Sequence, residues 1–83
     1  MMKEFDGVIS SMNAILGDNT TPRTVRETLG RMISYLQEEE EDDQRKIATA
    51  LSEIDDLAAD VNIPPYIRTQ LYGVSSQLEA LNN

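Results

Sequence analysis

The chain has 83 residues, with fifteen acidic side chains against seven basic ones and a formal charge of −8, which bounds it to one small domain with no room for a second core. That charge repels a phosphate backbone, so no nucleic acid is expected as a partner, while basic partners are favoured. Cysteine and histidine are both absent, which excludes disulfides, thiolate metal sites and imidazole chemistry.

From the N-terminus, Phe5, Val8, Ile9, Met12 and Ile15 recur at helical spacing, and the pattern predicts an amphipathic helix over about residues 3 to 16. Gly17 offers a stop through positive φ. Thr21 is expected to accept a hydrogen bond from a first-turn amide of the next helix, with Pro22 at its first position. The stripe of that second helix is Val25, Leu29, Met32, Ile33 and Leu36, and its outer face carries the ladder Arg23, Glu27, Arg31.

An unbroken run of acids follows from Glu38 to Asp43. Phase alone allows one long helix through it, but the inward positions would be Glu40, Asp43 and Gln44, with nothing to bury, and like charges four residues apart repel. A break near residues 39 to 42 is expected, with Asp42 or Asp43 capping a third helix and pairs from Glu41 to Arg45 and from Asp42 to Lys46. Ile47, Ala50, Leu51, Ile54, Leu57, Ala58 and Val61 form the third stripe, and Ile67, Leu71, Val74, Leu78 and Leu81 the fourth. Two adjacent prolines disfavour helix at Ile63 and Pro64, so the fourth helix is expected to begin at Pro65, with Ile63 free to fold inward.

Residues 5 to 36 and 47 to 78 align at a constant offset of 42, pairing Asp18 with Asp60, Pro22 with Pro64 and Arg26 with Arg68. The reading is therefore all-α: an antiparallel four-helix bundle of two tandem hairpins, 3–38 and 43–82, within a single domain 1–83. A pair of solenoid repeats is the competing architecture, and it would fall short of the usual three units unless a dimer completes the stack.

Asp18, Pro22, Arg26, Asp60, Pro65 and Arg68 are expected to be structural. Each arginine would close its hairpin by bonding the repeated aspartate or the last carbonyls of the preceding helix. The functional alternative is an anion clamp at the starts of the second and fourth helices. Tyr66, beside Pro64 and Pro65, either packs on its loop or stands out as a partner anchor.

Chemistry finds little purchase. The acidic run lacks the glycine of a calcium loop, and without histidine there is no carboxylate-histidine di-metal site, so no metal or cofactor is expected. A serine nucleophile would depend on Lys3 or Lys46 with no glycine-rich elbow to expose it, and Asp55 and Asp56, adjacent on a helix, face different directions. No catalytic residue is expected.

The stretch TTPRTVRETLGRM, the acidic middle beside the IATA helix, and the segment from Pro65 to Thr69 make the chain, over about residues 10 to 80, resemble the archaeal uncharacterised protein family 0147. The resemblance implies a small four-helix protein with no assigned activity, and it carries over no functional residue. No apolar run approaches the roughly 18 residues of a membrane span and no signal peptide is recognisable at the N-terminus, so no membrane contact and a cytoplasmic address are expected. The functional expectation is a non-enzymatic interaction or structural module that contacts a protein partner or its own copy. The alternative is a bundle that binds a small ligand or a divalent metal.

Overall fold

The computed structural model describes residues 4–82. Four helices follow one another: α1 (Asp6–Leu16), α2 (Arg23–Leu36), α3 (Asp43–Ala58) and α4 (Pro65–Leu81), with no strand among the described residues. The connections 17–22, 37–42 and 59–64 are equal in length and too short for anything but a reversal, so sequential helices run antiparallel. Each helix packs against two others, α1 on α2, α2 on α3, α3 on α4 and α4 back on α1, which closes the bundle. The joint at the acidic run is thus a turn of the same length as the other two.

Burial follows the stripes. Phe5, Val8, Met12 and Ile15 from the first segment meet Val25, Leu29, Met32 and Leu36 of α2, Ile47, Ala50, Ile54 and Ala58 of α3, and Ile67, Leu71, Val74 and Leu78 of α4. Steps of three and four residues keep these on one face of each helix, where apolar burial is worth about 25 cal/mol per Å². Ile9, Ile33, Leu51, Leu57 and Leu81 flank this core at partial burial.

Several local expectations are corrected. α1 begins at Asp6 with Phe5 as its cap, and residue 3 lies outside the described residues. Gly17 has φ −77°, an ordinary helical value, so no left-handed residue ends α1. Pro22 is the residue before α2 rather than its first member. Thr21 does not cap forward: its hydroxyl donates back to the Ile15 carbonyl at 2.7 Å. Val61 does not extend the third stripe, because α3 ends at Ala58 and leaves Val61 in the turn, 88% exposed. At the other joints the sequence signals match the coordinates. α4 starts at Pro65, Ile63 is buried, and the Asp42 carboxylate accepts from the Arg45 amide at 3.1 Å at the start of α3. No helix among the described residues is long and apolar enough to cross a membrane.

Candidate functional site

The polar chemistry of the molecule collects at its three turns, and one arrangement serves all of them. Pro22, Asp42 and Pro64 end the turns in extended backbone. Four residues beyond each stands a cation: Arg26, Lys46 and Arg68. Their amides bond the carbonyls of Pro22, Asp42 and Pro64 at 3.1, 2.9 and 3.0 Å, which fixes the same helical geometry at each start. From there each side chain reaches back across its turn to the end of the preceding helix.

The reach is the same in all three. Arg26 donates to the carbonyls of Leu16 at 2.7 Å, Asp18 at 2.6 Å and Thr21 at 3.2 Å. Arg68 donates to those of Ala58 at 2.8 Å, Asp60 at 2.7 Å and Ile63 at 3.1 Å. Lys46 donates to the carbonyl of Leu36 at 3.2 Å and to that of Glu38. In every case two partners lie 10 and 8 residues back, and each arginine adds a third five residues back. The last carbonyls of a helix have no intrahelical donor and carry the negative end of its dipole, so a cation here meets both needs. Guanidinium, with its fixed fork, serves three carbonyls, whereas the ammonium of Lys46 serves two.

Lys46 is the residue that sequence reasoning misplaced. The expected pair with Asp42 is replaced by the two carbonyls, and the side chain is 2% exposed, with its ammonium 5.6 Å from the centre of the Phe5 ring. An unpaired buried ammonium would cost several kcal/mol, and helix-end carbonyls and an aromatic face offset that cost. The signal was present: Lys46 follows Asp42 by the spacing at which Arg26 follows Pro22 and Arg68 follows Pro64.

The repeated aspartates act through their backbones toward the arginines and through their carboxylates toward the turn. Asp18 accepts from the Thr20 amide at 2.8 Å and its hydroxyl at 2.7 Å, and Asp60 accepts from the Asn62 amide at 2.9 Å. The Thr20 bonds, helped by the field of Arg26, hold the Asp18 carboxyl below its ordinary value of 3.8.

The remaining cations of the described residues lie on the surface with acids beside them: Arg23 to Glu27 at 3.3 Å, Arg31 to Glu53 at 3.4 Å and Arg45 to Glu41 at 4.0 Å. The expected ladder therefore stops at its first rung, because Arg31 turns across to α3. Asp55 accepts from the buried Ser75 hydroxyl at 3.0 Å, which makes it a link between α3 and α4.

Topology brings the start of α1, the end of α2 and the acidic turn to one end of the bundle. A groove of about 300 Å³ opens there, with Phe5, Ile9 and Leu36 below and Glu4, Asp6, Glu38 and Glu39 around it. A second groove, of about 240 Å³, lies between α1 and α4 beside Ser11, Ala14, Gly73 and Gln77, and in it the buried Gln70 Oε1 has no hydrogen-bond partner. Among the described residues no group of three or more acidic side chains is placed to hold a metal ion. Tyr66 and Tyr72 are 54% exposed, whereas the Tyr35 hydroxyl meets Thr49 of α3 at 3.4 Å.

Fold and surface define a small all-helical protein whose central cations are consumed by its own turns and whose exterior is left acidic. The chain belongs to the uncharacterised protein family UPF0147, which it matches over residues 1–81. It is 36% identical to a UPF0147 protein of Thermoplasma volcanium over 93% of this chain and 86% of that relative. To one of Archaeoglobus fulgidus it is 31% identical over 96% of this chain and 91% of the relative. The crystal structure of a family member from Thermoplasma acidophilum superposes with a TM-score of 0.88 at 36% identity, covering 93% of this chain and 91% of that one. These relatives are archaeal, and the family has no assigned activity.

Proposed function

We propose that this protein is a non-enzymatic helical module that acts by contact with another macromolecule, to which it presents its acidic surface, or with its own copy. The observation that carries the reading is the withdrawal of Arg26, Lys46 and Arg68 into the turns, where backbone carbonyls occupy them. A chain that starts with more than twice as many acids as bases thereby leaves its exterior still more negative, which favours basic partners and faster encounter with them.

The anion-clamp alternative is disfavoured by the same geometry, since each guanidinium already makes three bonds to carbonyls. Light scattering together with affinity capture from an archaeal lysate, run at low and high salt, tests the proposal. A basic partner whose retention falls with salt, or a dimer that salt does not dissociate, is expected. A strict monomer that retains nothing would overturn the proposal, as would turnover in a hydrolase screen abolished by one point mutation.

A small-ligand reading has one observation in its favour, the unpartnered Gln70 Oε1 in the groove between α1 and α4. A ligand with a hydrogen-bond donor would satisfy it. Fragment screening by NMR, with saturable shifts at Gln70 and Gly73, is its test.

A further inference from the structure

The groove at the acidic end differs from the rest of the surface in joining two properties. Its base is apolar, made by Phe5, Ile9 and Leu36, and its rim carries four carboxylates from two separate segments, Glu4 and Asp6 at the start of α1 and Glu38 and Glu39 in the turn. Among the described residues the one cation in its wall, Lys46, is committed to the Leu36 and Glu38 carbonyls. We propose that this groove docks a basic segment of a partner protein. A lysine or arginine lays its apolar stem on Phe5, Ile9 and Leu36, and its charged head stands among the rim carboxylates. The inference rests on the reading of the protein as an interaction module and names the chemistry of its partner.

Charge complementarity selects this occupant over the others. A second copy would bring the same acids face to face, and phosphate groups would be repelled in the same way. A metal ion needs several oxygens converging on one point at about 2.0–2.6 Å, whereas these carboxylates surround an apolar base. Long basic side chains are amphipathic in the required sense, with a stem that covers apolar surface and a head that stays at its edge. The turn is shaped for the role as well. The Asp42 cap and the Lys46 bonds hold the backbone of the acidic run at both ends, so Glu38 and Glu39 are presented from a fixed frame.

The test is an NMR titration of the full chain with an amidated peptide of alternating lysine and leucine, beside the same peptide carrying diaminobutyrate in place of lysine. The lysine peptide is expected to move the amides of Phe5, Ile9 and Leu36 to Glu39 and to bind several-fold more tightly than its short-stemmed counterpart. Glu38→Lys with Glu39→Lys should weaken binding roughly tenfold, while Glu27→Lys with Asp56→Lys, the same charge change elsewhere, should alter it no more than about twofold. Equal binding of the two peptides, or equal loss in the two double variants, would overturn the proposal by reducing it to bulk attraction. Saturable calcium shifts confined to the groove, or a dimer mapping to it, would overturn it in favour of another occupant. Absence of peptide binding beside successful capture of a partner removes the groove and leaves the module, while failure of both removes both.

Discussion

Lys46 of α3 meets the carbonyl of Leu36, the last residue of α2, at 3.2 Å and at the sequence separation, 10, that joins Arg26 to Leu16 and Arg68 to Ala58. The acidic run between the two central helices is therefore spanned from beneath by a buried cation that belongs to the third member of a set. Removing its charge tests how much the turn depends on it. Lys46→Met keeps the stem and strands two carbonyls, and it should lower stability by roughly 1–3 kcal/mol. At about 4–8 °C per kcal/mol for a domain of this size, the loss is visible in thermal unfolding.

Arg26 and Asp18 interact through the aspartate backbone, so a side-chain mutant cycle is expected to show little. Arg26→Met should cost roughly 1–3 kcal/mol by leaving the Leu16, Asp18 and Thr21 carbonyls without their donor. Asp18→Asn preserves the carbonyl, and the coupling energy between the two substitutions should stay under about 0.5 kcal/mol. Urea denaturation of the two single variants and the double variant measures it. A large coupling would show that the carboxylate, and not the backbone, holds the arginine.

The Asp18 carboxyl should titrate below 3.8, followed by carboxyl carbon NMR. A depressed value in the folded protein means that its contribution to stability is complete above the unfolded value and is lost as pH falls through the folded one. Thr20→Val removes the hydroxyl donor and should raise the titration toward the ordinary value while leaving the Thr20 amide bond in place.

Gly30, within α2, has open space where a Cβ would stand. Gly30→Ala is expected to stabilise the protein by about 0.5–1 kcal/mol, because glycine in a helix interior is penalised by its freedom in the unfolded chain. Gly17→Ala should be tolerated as well, since its φ is helical and a Cβ would stand 3.6 and 3.7 Å from the carbonyl oxygens of Asn13 and Ala14, at ordinary contact. Denaturant midpoints with unchanged slopes report both. A loss at Gly17 would mean that the turn needs the left-handed freedom the coordinates do not use.

The helices were legible because four apolar stripes each keep one phase, and the break at the acids was legible because no apolar residue stood at its inward positions. Pro65 marked the start of α4 because two adjacent prolines exclude helix just before it. What escaped reading was non-local. Gly17 and Thr21 look like local stop and cap signals, yet α1 is finished by the Thr21 hydroxyl and by a guanidinium from the next helix. Helical spacing points Lys46 at Asp42, because the competing carbonyls become close only after the chain has turned. Val61 stands at helical spacing from Leu57 and Ala58, and that spacing runs past the end of α3 even though its counterpart across the repeat, Asn19, lies in a turn. The groove at the acidic end could not be read at all, since its base and rim come from segments that only the closed bundle brings together.

Equal connections also bear on the order in which the helices must be strung. Glu4 and Gly7 of the first segment share a surface with Ala80 and Leu81 of the last, so the start of α1 and the end of α4 lie side by side at the end that holds the acidic turn. A connection from Leu81 to Asp6 as long as the existing three, given a basic residue at the matching place beyond it, would turn the bundle into a covalent ring. Such a ring could be cut at any of its four corners, and the same bundle should assemble from each new beginning.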